Sequence, residues 1–341
     1  MRAVAYQKPQ PITAETSLVD VDLPDPVAGA HDLLVEVRAV SVNPVDTKIR
    51  KGVTPLEGTW KVLGWDVAGI VRAVGPEVTL FQPGDRVWYA GAIDRPGSNA
   101  ELHLVDERIV GRMPASLDFA AAAALPLTAI TAWEALFDRL RVETPVPGAA
   151  PAVLIIGGAG GVGSIAIQLL KARTDLVVIA TASRPESTAW VRDLGADHVL
   201  DHSQPLAPQV AALGIGAPGL VFSTTNTQDH LADIVELIAP QGRFALIDDP
   251  SSLDVMPFKR KSVSIHWELM FTRSLFATPD IIAQHHLLGA VADLVDAGRI
   301  RTTLTEVLGP INAATLKTAH ALIETGRTRG KLVLEGFAPP A

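Results

Sequence analysis

Seven residues near the middle of the chain, Gly157-Gly158-Ala159-Gly160-Gly161-Val162-Gly163, have types and spacing that suggest chemistry. A continuous apolar run, Ala152 to Ile156, precedes them, and a segment of helical period, Val162 to Ala172, follows. Gly158, Gly160 and Gly163 make a G-x-G-x-x-G pattern. In such a turn the first glycine permits the tight reversal and the second lets backbone approach a pyrophosphate. The third lets the helix pack close to the strand. The helix N-terminus, with the N–H groups of Gly161, Val162 and Gly163, presents free donors and a partial positive charge to phosphate oxygens. A glycine-rich turn alone can be only a turn. Between a buried strand and a helix it reads as a dinucleotide site.

The next strand chooses the cofactor. NAD sites place Asp or Glu about 20 residues past the first glycine, on the ribose hydroxyls. Here that point falls near Val178, in Leu176 to Thr181, followed by Ala182-Ser183-Arg184. No acid ends this strand; Asp175 lies before it. A carboxylate there would repel a 2′-phosphate, whereas Ser183 and Arg184 can donate to it, Arg184 with a two-pronged fork. The pattern points to NADPH. The plainer alternative makes Arg184 a surface loop residue.

The elements that must position these residues form two textures. Up to about residue 115, short apolar runs (Leu33 to Val42, Ala68 to Val74, Arg86 to Tyr89, Glu101 to Leu104) alternate with turn signals such as Val74-Gly75-Pro76 and Gln82-Pro83-Gly84-Asp85. That pattern indicates an irregular, mostly antiparallel β domain. Ala120 to Leu140 reads as helix, with a break at Pro126. Beyond it, apolar strands (Ala152–Ile156, Leu176–Thr181, His198–Leu200, Leu220–Ser223, Phe244–Ile247, Ser262–Trp267) alternate with helices (Val162–Ala172, Glu186–Leu194, Asp229–Leu237). Strands apolar throughout, alternating with helices, predict a parallel sheet covered on both faces. Ile281 to Ala297 has helical period, and Lys331 to Glu335 reads as a final strand.

Composition narrows the function classes. The chain has 341 residues, 48% hydrophobic and 19% charged, enough for two folded domains at roughly 100–200 residues each. Its net charge of −8 disfavours nucleic acid as a partner, and the one basic run, Lys259-Arg260-Lys261, reads as a solvated turn. With no cysteine, disulfides, thiolate zinc sites, iron–sulfur clusters and a cysteine nucleophile are excluded. The uncharged stretches Phe119–Trp133 and Val153–Leu170 are too short or too glycine-rich for a span of about 20 apolar residues. No apolar signal core follows Met1. The expectation is a soluble cytoplasmic protein with no membrane partner.

Several segments together resemble the medium-chain dehydrogenase/reductase superfamily: Ala39-Val40-Ser41-Val42-Asn43-Pro44-Val45-Asp46, Leu63-Gly64-Trp65-Asp66-Val67-Ala68-Gly69, Gln82 to Val87, Ala124 to Trp133, and the glycine loop. The likeness covers nearly the whole chain and is strongest to the quinone oxidoreductase branch, in particular the bacterial zinc-type alcohol dehydrogenase-like proteins. It implies an α/β fold: a GroES-like β catalytic domain plus a Rossmann doubly wound parallel sheet. The expected bounds are 1–126 for the GroES-like domain, 127–272 for the NADPH-binding domain and 273–341 for a tail returning to the catalytic domain. The resemblance also implies a cleft active site and homodimers joined at the sheet edge near Ser262–Trp267.

Zinc alcohol dehydrogenases of this superfamily use a Cys, the His of a Gly-His-Glu motif, and a later Cys or Asp. The matching positions here are Asn43, Trp65 within Gly64-Trp65-Asp66, and Leu127 within Pro126-Leu127-Thr128. An amide, an indole and an aliphatic chain do not replace that set, so no metal is expected. Neither His198 with His202, nor His285 with His286, nor His266 with Glu268 supplies another site. Without a metal, reduction of quinones or α,β-unsaturated carbonyls is favoured, because the developing negative charge spreads into a phenolate or enolate that a few hydrogen-bond donors can stabilise. The resemblance puts the Asn43 amide and the Thr131 hydroxyl at the nicotinamide end; Tyr89 is a further candidate donor. It also implies cofactor contacts at His202, Ser223, Thr224, Ile247, Asp248 and Met270, with Lys331 reaching in from the tail. Asp248-Asp249 is unusual beside NADPH and reads as a helix cap or as part of the substrate mouth. The substrate expected is a small electrophile. A non-catalytic NADPH-binding protein and a zinc-binding alcohol dehydrogenase are the alternatives.

Overall fold

Alternation builds the first strands. In Asp32–Ser41, Leu33, Val35 and Val37 are buried while Leu34, Glu36 and Arg38 face outward, the two-residue period of a half-covered strand. From Ala39 onward every residue of that strand is buried. The structure is a computed structural model and describes residues 1–337. The first segment contributes β1 (Arg2–Tyr6), β2 (Val19–Asp22), β3 (Asp32–Ser41), β4 (Lys61–Val62), β5 (Val67–Val74), β6 (Arg86–Tyr89), β7 (Leu102–Asp106) and β8 (Val110–Arg112). The middle contributes β9 (Ala150–Ile156), β10 (Val177–Thr181), β11 (His198–Leu200), β12 (Pro218–Ser223), β13 (Arg243–Leu246) and β14 (Ser264–Trp267). The tail adds β15 (Leu304–Val307) and β16 (Lys331–Glu335).

The chain divides into two units, Met1–Leu127 with the tail from Phe271, and Thr128–Met270. The expected bounds, 126/127 and 272/273, fall within two residues of these. In the first unit a small sheet runs β2-β1-β4, and a larger one runs β15-β16-β3-β5-β6-β8 with β7 also on β3. β3 is shared along its length. Its first half pairs antiparallel with β7, from Asp32↔Asp106 to Glu36↔Leu102, and its last residues pair with β16, Ser41 opposite Val333. The tail strand is thus delivered to the end of β3. There Asn43 ends the extended chain and a helix, Pro44–Gly52, begins with proline at its first position, where no N–H is needed.

The second unit is a six-stranded parallel sheet in the order β11-β10-β9-β12-β13-β14. Counted from β9 this is the 3-2-1-4-5-6 order of a Rossmann fold. Leu154, Ile156, Ile179, Val221, Phe244 and Leu246 are core residues on these strands, which explains the unbroken apolar runs in the sequence. β10 and β12 leave β9 on opposite sides, so the glycine loop after β9 sits where ligands meet such sheets.

Some details differ from the sequence reading. The 120–140 stretch breaks as expected before Pro126, giving helices Phe119–Ala123 and Pro126–Trp133. It then continues as a π-helical turn, Glu134–Arg139, closed by Leu140 N–H on Ala135 O at 2.9 Å. By length and composition Phe119–Arg139 could cross a membrane, but 83% of its apolar window is buried in the protein, as in a core helix. Helices Leu206–Ala212 and Ala313–Glu324 and strand β15 were not foreseen. The basic run is more than a solvated turn: Lys261 Nζ donates to Glu236 O at 2.6 Å and Ile238 O at 2.8 Å, closing the C-terminal end of helix Thr227–Leu237.

Candidate active site

In the glycine loop the residues divide the work differently from the simple pattern. The left-handed turn is at Gly157, φ +83°, one residue before the G-x-G-x-x-G begins. A Cβ at Gly158 would lie 2.9 Å from Ala180 Cβ, so this glycine lets the loop lie against β10. At Gly163 a Cβ would lie 2.3 Å from Gly157 O and 2.7 Å from Gly158 Cα, so only glycine lets this helix start so near the turn. Gly160 is different: its Cβ would meet only Gly157 O, at 3.6 Å. The protein itself therefore does not require glycine at 160, and the open side is the one a phosphate would approach. Gly160 caps helix Gly161–Arg173, whose first-turn N–H groups, Gly161 to Gly163, lack intrahelical acceptors.

The end of β10 is tied to this loop. Thr181 O accepts from Gly158 N at 3.1 Å, and Thr181 Oγ1 accepts from Gly157 N at 3.0 Å. The same hydroxyl lies 3.1 Å from His202 Nδ1. Ser183 is exposed and Arg184 partly so. Arg184 begins helix Pro185–Asp193 and its Nε is 3.1 Å from Glu186 Oε1. Burial, then the neighbouring His230 charge, hold the His202 ring below the ordinary histidine pKa, with Arg184 acting in the same direction. His230, whose ring centroid is 6.4 Å from that of His202, was not anticipated from the sequence; it lies on the next helix but one and has no local signal.

Beyond β12, Thr224 Oγ1 donates to Ile156 O at 2.8 Å, locking the strand end beside the turn. Ser223 is fully buried, with its Oγ 2.7 Å from Thr227 Oγ1. Asp248 resolves as the helix cap: Oδ2 accepts from Thr227 N at 2.8 Å and Oδ1 from the Thr227 hydroxyl, at the start of helix Thr227–Leu237. Ile247 follows β13 and its N–H donates to Ser223 O at 3.3 Å. Met270 and Thr131 are both buried, the latter on helix Pro126–Trp133.

In the first unit the structure joins residues far apart in sequence. Lys331, at the start of β16, is 3% exposed; Asp66 and Asn43 are 0% and 1% exposed. Lys331 Nζ donates to Asp66 Oδ2 at 2.9 Å, to Val42 O at 3.2 Å and to Asn43 Oδ1. Asn43 Nδ2 donates to Asp66 Oδ2 at 2.9 Å, with longer contacts to Ser41 O at 3.4 Å and Trp65 O at 3.5 Å. Asp66 Oδ1 accepts from Leu127 N at 2.8 Å, at the N-terminus of helix Pro126–Trp133, a favourable place for a carboxylate. Asp46 Oδ2 accepts from Asn43 N at 2.8 Å, while its Oδ1 is buried without a partner. Burial pushes the Asp46 carboxyl up to about 7 and raises Asp66 as well, against the pull of Lys331.

Two expectations change here. Lys331, expected only as a tail residue reaching in, has its ammonium enclosed by Asp66, Val42 and Asn43. Tyr89 is fully buried, and its hydroxyl is 3.0 Å from His103 Nδ1 with the rings stacked. That hydroxyl is engaged with His103 inside the core.

Residues 29–115 match the alcohol dehydrogenase GroES-like domain, and residues 194–334 match the zinc-binding dehydrogenase model. A zinc-type alcohol dehydrogenase-like protein of Staphylococcus aureus is 40% identical over 338 residues, covering 98% of this chain and 99% of that one. The chain belongs to the medium-chain dehydrogenase/reductase superfamily. The human mitochondrial NAD(P)H oxidoreductase RTN4IP1 is 31% identical, over 89% of this chain and 81% of that one. Among solved structures, a putative zinc-dependent alcohol dehydrogenase protein from Rhizobium etli superposes with TM-score 0.98 at 67% identity, covering 99% of both chains. A quinone oxidoreductase from Pseudomonas syringae superposes with TM-score 0.81 at 26% identity, over 98% and 99%. The chain is therefore an oxidoreductase of this superfamily, built on a nicotinamide-cofactor fold.

The superfamily names carry zinc, and the residues at the matching positions do not fit it. Trp65 is a donor, its Nε1 bonding Ala92 O at 3.2 Å, and its ring packs edge-on against Phe271 at 6.2 Å. Leu127 is aliphatic. Asn43 spends its amide on Lys331 and Asp66. Among the described residues no group of three or more His, Cys, Asp or Glu side chains could hold a metal ion.

Proposed function

We propose that this superfamily member is a zinc-independent, NADPH-dependent reductase of quinones or α,β-unsaturated carbonyls. The observation that carries this reading is the residue set at the zinc-ligand positions: an amide bonded to the Lys331 ammonium, an indole that donates to Ala92 O, and an aliphatic chain. Such a set suits a reaction whose negative charge is delocalised within the substrate. The quinone oxidoreductase and NAD(P)H oxidoreductase relatives support the same chemistry.

The choice of NADPH rests on the end of β10. Ser183 and Arg184 stand where an NAD enzyme places an acid, and His202 and His230 add polar, proton-accepting groups nearby. Arg184 already contacts Glu186, but that carboxylate is 56% exposed, and an exposed pair is weak enough to yield to a phosphate. Gly161 to Gly163 would hold the pyrophosphate by their N–H groups. Bound NADPH would supply the hydride.

The protein's own part is to stabilise the oxygen on which charge develops. The Thr131 hydroxyl is one donor. The second Asn43 amide hydrogen, which makes only contacts of 3.4 and 3.5 Å, is the one left to donate to a substrate oxygen. The final proton comes from water. NADPH oxidation by an enone and by its saturated ketone tests the proposal, and only the enone should be reduced at a useful rate. Asn43→Ala should lower kcat and kcat/KM together by up to a few kcal/mol in barrier, as for loss of one oxyanion donor. Faster turnover of the saturated ketone would overturn the reading.

A further inference from the structure

We propose that Lys331 is an internal cation: its ammonium pairs with the buried Asp66 carboxylate, crosslinks the segments around it, and positions the Asn43 amide. The geometry shows a complete site. An ammonium has three donors, and Lys331 finds three acceptors: Asp66 Oδ2, Val42 O and Asn43 Oδ1. The two charged partners are 265 residues apart in sequence and almost wholly buried. A buried pair survives only when its remaining polar groups are also satisfied, and here they are. Asp66 passes the link on through Oδ1 to Leu127 N. One ammonium therefore ties together the end of β3, the segment before β5, the start of β16 and the N-terminus of helix Pro126–Trp133.

The cation also decides how Asn43 faces. Its oxygen accepts from Lys331, so its nitrogen must face Asp66; the flipped amide would set donors against donors. Lys331 is thus a positioning residue, acting on substrate only through Asn43. That last step rests on the reductase reading, whereas the internal cation itself does not.

Four purified proteins test this: wild type, Lys331→Met, Asp66→Asn, and the double variant Asp66→Asn/Lys331→Met. Thermal melting gives the coupling. Each single substitution should lower Tm, since it leaves one buried charge unpaired, and the double variant should recover most of that loss. Strictly additive losses would overturn the pair, and the double variant gives an answer even if a single variant fails to fold. NADPH Kd should stay nearly constant across the folded variants; a large loss on Lys331→Met with Tm unchanged would make Lys331 a cofactor contact instead. Elemental analysis of the wild type should find zinc well below one per chain, and stoichiometric zinc would overturn the zinc-independent reading on which the Asn43 step rests. With a quinone that the wild type reduces, the double variant should regain Tm yet keep a kcat lowered roughly 10–100-fold, the scale for losing the partner of a site-forming side chain. Full kcat in that variant would refute positioning. If the wild type reduces neither quinones nor enones, the reductase reading fails, and the melting cycle still decides the internal cation.

Discussion

The Thr181 hydroxyl lies 3.1 Å from His202 Nδ1 and accepts from Gly157 N at 3.0 Å, so one side chain joins the glycine turn to the end of the neighbouring strand. This makes the proposed pyrophosphate and 2′-phosphate positions parts of one rigid unit. Arg184 begins the helix three residues beyond Thr181. Arg184→Ala should weaken NADPH binding by about 1.5–3 kcal/mol, the scale of a charge-assisted hydrogen bond, and leave NADH affinity nearly unchanged. Fluorescence titration with both cofactors checks this, and equal losses for the two would refute the assignment.

Gly160 and Gly163 separate binding from folding. A methyl at 163 would sit 2.3 Å from a backbone oxygen, so Gly163→Ala should cost about 1–3 kcal/mol or more in stability. A methyl at 160 has ordinary contact distance, 3.6 Å, to its nearest neighbour. Gly160→Ala should keep nearly the wild-type Tm yet bind NADPH about tenfold or more weakly, because it blocks close backbone approach. Tm and Kd for both variants decide; an unstable Gly160→Ala protein with normal affinity would reverse the reading.

What could be read from the sequence was local. The β9–turn–helix unit announces itself because a buried strand, a glycine turn and a helix start are contiguous in sequence. The alternating apolar segments likewise gave the parallel sheet. The buried cluster was not readable, because Lys331 and Asp66 are brought together only by the pairing of β16 with β3. Tyr89 suggested a donor because it follows Arg86–Trp88 and precedes Gly91. Its burial comes with His103, fourteen residues on, whose ring stacks on it and whose Nδ1 meets its hydroxyl. Asp248 looked out of place near NADPH until its two contacts to Thr227 showed a cap made across the sheet.

The buried pair Tyr89–His103 predicts a pH dependence. His103 Nε2 lies 3.0 Å from Pro96 O, so it carries the proton, and Nδ1 accepts from Tyr89. Burial lowers the His103 pKa to about 4. The unfolded chain binds that proton near 6.5, while the native protein binds it only near 4. Stability from this group is therefore present above 6.5 and lost as pH falls from 6.5 toward 4. The loss is on the order of a few kcal/mol. Asp46, raised to about 7, works the other way over the same range, so the difference from a variant is the useful quantity. Urea unfolding of His103→Gln and wild type at pH 7.5 and 5 should show a smaller acid loss in the variant; equal losses would rule His103 out.

The homodimer remains a proposal, and the edge of the parallel sheet is where it should form. β14 is the last strand in the order and among the described residues pairs only with β13, so its other side is a sheet edge. Trp267 ends this strand 55% exposed, and Leu269, two residues on, is 52% exposed. A large indole left open at a sheet edge costs solubility unless another surface covers it, and a second copy can pair the edge and cover the ring together. Trp267→Asp should therefore move the protein from dimer to monomer, because a carboxylate would be buried without a partner in the joined edge. Val27→Asp is the control. Val27 is 86% exposed in the other unit, so the same change of charge there should leave the mass unchanged. Light scattering on the eluting peak at several concentrations reads the outcome directly. A monomeric wild type, or a Trp267→Asp protein still wholly dimeric, would remove β14 as the joining edge.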